Sequence, residues 1–183
     1  PIDNPEFGRL FPCECRLRQF EAGRYGRLAR FSNLGRLSQA TFDAIVPPAR
    51  TSREDFAQST TSALAFAEDP DGWLTIIGPG SSGKTQLAAA IANHRLNLGH
   101  PVFFTQVADL LGHLRSAYGP NSDTSYDEIF EQVRNVPLLI LDDLGHQAST
   151  PWAQEKLAQL LGHRSNSRLP TVITTDLSLD QID

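Results

Sequence analysis

The run Trp73-Leu74-Thr75-Ile76-Ile77-Gly78-Pro79-Gly80-Ser81-Ser82-Gly83-Lys84-Thr85-Gln86-Leu87 decides the reading of this chain. Five residues of apolar strand character lead into G-x-x-x-x-G-K-[ST], and a helical pattern follows from Lys84 to Leu98, closed by Gly99. With this chain's own usage of Gly, Lys, Ser and Thr, a chance match is roughly one in a thousand. Each position has a chemical use. Glycines let the backbone turn tightly and aim successive N–H groups at an anion, and the start of the following helix adds its dipole. Lys84 then meets the β and γ phosphates, and the Thr85 hydroxyl is placed to ligate Mg²⁺. A nucleoside triphosphate with magnesium is the implied ligand of residues Gly78, Pro79, Gly80, Ser81, Ser82, Gly83, Lys84 and Thr85.

A triphosphate needs its metal held from a second side. Val136-Pro137-Leu138-Leu139-Ile140-Leu141 is a continuous apolar run that ends in Asp142-Asp143. A buried strand of this kind delivers carboxylates at the edge where ligands bind in open α/β sheets. Asp142 is expected to hold Mg²⁺ or its water, and Asp143 to orient or deprotonate the attacking water.

Working outward, the chain alternates short apolar runs with amphipathic segments, the pattern of a parallel sheet covered by helices. Strands are expected at 73–77, 102–107, 137–141 and 171–175. Helices are expected at 84–98, 108–118, 126–133 and 151–163, the last opened by Thr150 before Pro151. Ser52 with Asp55 three residues on predicts a further helix up to Asp69. One strand lies between the phosphate loop and Asp142, and another follows it. That is the layout of an α/β P-loop ATPase with a strand between its two motifs.

The 183 residues suit one domain with an appended arm. Two cysteines exclude a disulfide-stapled scaffold, and no apolar run approaches the roughly 18 residues of a membrane span. With no leader pattern at the N-terminus, a cytoplasmic protein is expected. The chain has no methionine and reads as part of a longer protein. Its net charge of -5 is uneven: residues 1–50 carry eight arginines against five acids, net +3, and residues 51–183 carry eight basic against sixteen acidic residues, net -8. This divides the chain into a basic, partner-binding arm (1–50) and a core (51–183), with Pro47-Pro48 at the break. In the arm, Phe20, Tyr25, Leu28 and Phe31 share one side of a helical pattern over 19–37, and Arg24, Arg27 and Arg30 another. That arginine row is either a solvated face or a contact for a partner or nucleic acid.

Thr41-Phe42-Asp43, the phosphate loop, Pro137 to Gly145, and Leu169-Pro170-Thr171-Val172-Ile173-Thr174-Thr175-Asp176-Leu177 together resemble the AAA+ ATPases of the DnaC/DnaI helicase-loader and IstB transposition-helper group, over residues 38–183. The resemblance implies a three-layer AAA+ sandwich and a cytoplasmic, DNA-dependent ATPase. Such a protein assembles side by side through its ATP site, engages single-stranded DNA and acts on a replicative helicase or a transposase. It makes Lys84, Asp143 and Asp176 the catalytic set, Thr85 and Asp142 the Mg²⁺ ligands, and Phe42 either a neighbour of the adenine or a core contact. The chain also departs from the family pattern. Asp143 stands where AAA+ proteins more widely carry Glu, and Asp176 where this group usually carries a sensor Asn; a carboxylate there repels the γ-phosphate unless a cation or proton intervenes, and Thr175 is the alternative polar contact. The chain stops at Asp183, ahead of the family's last core strand, arginine finger and lid, so it is expected to bind nucleotide better than it hydrolyses it. Some loaders carry an N-terminal zinc module, and the resemblance would make Cys13-Glu14-Cys15 a remnant of it. Two cysteines do not complete a tetrahedral site, and two reduced thiols are expected. His146 reads as a loop histidine.

Overall fold

A computed structural model describes residues 33–48, 51–117, 126–145 and 150–178. Cys13, Cys15, the arginine row at 24, 27 and 30, and His146 lie outside the described residues. The elements run α1 (Arg53–Glu68), β1 (Trp73–Ile77), α2 (Lys84–Asn97), β2 (Val102–Gln106), α3 (Val107–Ser116), α4 (Tyr126–Asn135), β3 (Leu138–Asp142), α5 (Pro151–Asn166) and β4 (Thr171–Thr175). The caps agree with the residue types. Ser52 Oγ accepts the Asp55 N–H at 3.0 Å, and Thr150 Oγ1 accepts the Ala153 N–H at 3.2 Å with Pro151 leading the helix.

The four strands are all parallel, in the order β1-β4-β3-β2. The strand that lies between the phosphate-loop strand and the aspartate strand in space is therefore β4, which comes last in sequence. Successive side chains point to opposite faces with period two, and helices cover both faces. Phe103, Leu139, Leu141 and Ile173 join α3, α4 and α5 in one core. Phe104, Leu138, Ile140 and Val172 join α1 and α2 in the other. The middle strands β3 and β4 are buried at every position; β3 reads as an apolar run up to Asp142, whereas β4 carries three threonines.

Several boundaries differ from the sequence expectation by one to three residues: Val107 opens α3 instead of ending β2, α3 stops at Ser116, α4 runs on to Asn135, and β3 is shifted by one to Leu138–Asp142. α5 runs three residues past His163, because it is ended by Arg168 in a left-handed conformation (φ 52°) rather than by a glycine, with the Leu169 N–H closing on the Arg164 carbonyl at 2.9 Å. Residues Asn33–Leu37, within the helical pattern of the arm, form a short 3-10 turn. Leu34, Leu37, Ala40, Phe42 and Ile45 then pack against the α1–α2 core, and Asn93 Nδ2 of α2 donates to the Leu37 and Ala40 carbonyls, both at 2.8 Å. Segment 34–45, grouped with the arm by charge, thus lies on the core.

Candidate nucleotide site

The parallel sheet brings the ends of β1, β4 and β3 to one edge. The phosphate loop leaves β1 there, and the Gly78 N–H prolongs the ladder by donating to the Thr175 carbonyl of β4 at 3.2 Å. Pro79, Gly80 and Ser81 are exposed, whereas Gly78, Ser82, Gly83, Lys84 and Thr85 are half-buried. Ser81 (φ 63°) and Gly83 (φ 89°) take the left-handed turns that bring the loop into α2. At Gly83 the requirement is twofold, since a Cβ would also meet Phe56 and Pro48 at 3.2 Å. Lys84 Nζ donates to the Gly78 carbonyl at 2.8 Å and the Pro79 carbonyl at 3.0 Å, which holds the ammonium inside the loop. Ser82 Oγ is buried with no hydrogen-bond partner among the described residues. A phosphate oxygen would satisfy it.

Across 57 residues of sequence, Thr85 Oγ1 donates to the Asp142 carboxylate, at 2.9 Å to Oδ1 and 3.2 Å to Oδ2. Asp142 is 1% exposed. Burial pushes its carboxyl above the usual range; hydrogen bonds from Thr174 and Thr85 and the charge of Lys84 pull the other way, and the charge of Asp143 adds to the rise. Mg²⁺ takes hard oxygen ligands, keeps several waters and is commonly held by one or two carboxylates plus substrate phosphates. A hydroxyl and a carboxylate already juxtaposed beside an anion loop fit that ion. Asp143 is exposed and left-handed (φ 61°), a conformation that costs a non-glycine residue energy and clusters at functional sites.

Three side chains that sequence reasoning passed over complete the edge. Thr174 Oγ1 donates to Asp142 Oδ1 at 2.7 Å and accepts the Asp143 N–H at 2.9 Å. Val46 and Pro48 line, with Ser81 to Gln86, a pocket of about 400 Å³ on the α2 side of the loop. Phe42 stands further off, with its ring edge-on to His94 at 6.0 Å and packed on the α1–α2 core. Thr175 Oγ1 donates to the Leu144 carbonyl, and Asp176 is exposed immediately beyond β4.

Comparison with known proteins agrees with this geometry. The family model described as IstB-like ATP binding protein matches residues 19–183. The replicative helicase loader DnaC of Escherichia coli K12 is 29% identical over 136 residues, which are 73% of this chain and 55% of that protein. The chain thus spans about half the length of the curated relatives it matches. Among solved structures, the DnaC helicase loader superposes with a TM-score of 0.67 at 26% identity, covering 79% of this chain and 81% of that one. AMPPCP-bound DnaA from Aquifex aeolicus shares the fold, with a TM-score of 0.68 at 16% identity over 79% of this chain and 44% of that one. The three-layer AAA+ P-loop architecture, the phosphate loop and the matched extent agree: the chain belongs to the IstB-like ATP binding protein family, AAA+ proteins similar to the DnaC helicase loaders.

Proposed function

We propose that this chain binds Mg-ATP at the edge formed by β1, β4 and β3 and hydrolyses it as a helicase-loader-like ATPase of DNA replication. The observation that carries this reading is the 2.9 Å hydrogen bond between Thr85 and Asp142, which joins the phosphate loop to the aspartate strand. Lys84 and the loop N–H groups hold the phosphates, and Thr85 and Asp142 hold the metal. When bound at Thr85 and Asp142, Mg²⁺ would supply positive charge that neutralises the phosphates. Asp143 orients the attacking water, and Asp176 takes the sensor position beyond β4, with a cation or proton offsetting its charge against the γ-phosphate. The pocket beside Val46 and Pro48 takes the base side of the nucleotide, with Phe42 as a support in the same segment.

By similarity to loaders, the partners are single-stranded DNA and a replicative helicase in the cytoplasm. Subunits assemble side by side through the ATP site, and the basic segment 1–50 meets a partner through its arginines ahead of the core-packed stretch 34–45. The family match favours a second role, as an IstB-type helper of a transposase. Aspartates at both 143 and 176 favour a nucleotide-gated module with little turnover. Steady-state hydrolysis by the full-length protein, with and without single-stranded DNA, separates the enzyme from the module. DNA-stimulated turnover lost in Asp143→Asn supports the enzyme. Retained Mg-ATP affinity with no turnover in either condition leaves only the module.

A further inference from the structure

Thr174 sits on a strand whose five residues are all buried, where valine or isoleucine would serve packing as well. Its hydroxyl is instead wired into the site. The Asp143 N–H can only donate and an ionised Asp142 can only accept, so the one hydroxyl proton is committed to Asp142 and the oxygen to Asp143. The chain of bonds runs Asp143 N–H to Thr174 Oγ1 to Asp142 Oδ1, and such chains strengthen their members. Two consequences follow. Oδ1 already accepts from Thr174 at 2.7 Å and Thr85 at 2.9 Å, which leaves Oδ2, 3.2 Å from Thr85, as the oxygen with capacity for a cation or its water. The same hydroxyl pins the backbone at the point where Asp143 turns left-handed. The Thr174 carbonyl also accepts the Leu144 N–H at 2.8 Å, and the next hydroxyl, Thr175 Oγ1, donates to the Leu144 carbonyl and accepts the Leu177 N–H at 3.0 Å. The exit of β3 is therefore held by β4 from residue 142 to residue 144.

We infer that Thr174 is a positioning residue that fixes both carboxylates of the site, presenting one oxygen of Asp142 to the divalent cation and setting the backbone from which Asp143 projects. The inference rests on the Mg-nucleotide reading above. It concerns the hydroxyl and not the methyl group, so two variants separate it from packing. Thr174→Val keeps the shape and removes the hydroxyl; Thr174→Ser keeps the hydroxyl and removes the methyl.

The test is the affinity of the full chain for a fluorescent ATP analogue (mant-ATP), measured in EDTA and in excess Mg²⁺. Wild type is expected to bind more tightly with Mg²⁺. Thr174→Val is expected to lose about 10- to 100-fold of that Mg²⁺-dependent gain, the usual effect of removing a partner behind a metal ligand, while its affinity in EDTA stays at the wild-type level. Thr174→Ser is expected to keep the gain. A full gain in Thr174→Val, or a loss in Thr174→Ser, overturns the inference. Should Thr174→Val fail to fold, Thr174→Ser alone still decides between hydroxyl and methyl. If wild type itself shows no Mg²⁺-dependent gain, the Mg-nucleotide reading has failed, a result distinct from a gain that persists without the hydroxyl.

Discussion

Asp142 is held in an environment that disfavours its own charge. Burial is the largest influence on it, and the two threonine hydroxyls and Lys84 offset that influence only in part, so the folded carboxyl titrates above its unfolded value of 3.8. The folded state then keeps a proton that the unfolded state releases first. Stability from this group is present at acid pH and is lost as pH rises through the raised value. Asp142→Asn is neutral, nearly isosteric, and its Oδ1 still accepts from Thr85 and Thr174. Urea unfolding of the metal-free chain is expected to show Asp142→Asn more stable than wild type at neutral pH. The advantage shrinks as pH falls toward 3.8, and Mg²⁺-dependent nucleotide binding is lost. Equal stability at every pH would remove the electrostatic load from Asp142. Gly83 carries a different requirement. A Cβ at φ 89° that also meets Phe56 and Pro48 is expected to cost about 1–2 kcal/mol in Gly83→Ala, read from the shift in the denaturation midpoint.

Among the elements, α5 does more than cover the sheet. Its Arg164 is fully buried and among the described residues meets only neutral partners: Nε donates to Thr171 Oγ1 at 2.9 Å, Nη1 to the Arg134 and Val136 carbonyls at 3.1 and 2.8 Å, and Nη2 to the Pro170 carbonyl at 2.6 Å. Desolvation lowers its pKa to about 10, so it remains charged at neutral pH. The fork ties the end of α4 to the entries of β3 and β4, opposite the edge where Asp142 and Thr174 emerge. Arg164→Ala leaves these acceptors dry and opens a cavity, and a loss on the order of 3 kcal/mol or more is expected in urea unfolding. A loss under about 1 kcal/mol would mean that water replaces the guanidinium, since one typical hydrogen bond is worth that much. The sequence shows the strands, most helix starts and the loop, because apolar period, Ser52, Thr150-Pro151 and Gly99 act locally. It does not show Arg164 as core, because Arg168 ends the helix without a glycine signal and the expected stop at His163 left the arginine outside it. Thr174 is hidden for another reason. Its partner Asp142 lies 32 residues away, and the contact exists only because β4 inserts between β1 and β3. Val46 and Pro48 reach the loop through the packing of segment 34–45, which charge alone assigned to the arm.

At the scale of the whole molecule, one edge of one sheet gathers Gly78 to Thr85, Asp142 and Asp143, and Thr174 to Asp176. The acidic excess of residues 51–183 is thus in part site chemistry, and does not argue against a nucleic-acid partner for the protein. Among the described residues no helix is long and apolar enough to cross a membrane. The central claim is that this edge binds a nucleoside triphosphate through the phosphate loop. The most direct test is equilibrium binding of Mg²⁺ and a non-hydrolysable ATP analogue to wild type and Lys84→Ala, with matched unfolding curves for the two proteins. Saturable binding by wild type, and its loss in Lys84→Ala at unchanged stability, are expected. Binding of equal affinity by both proteins would contradict the claim.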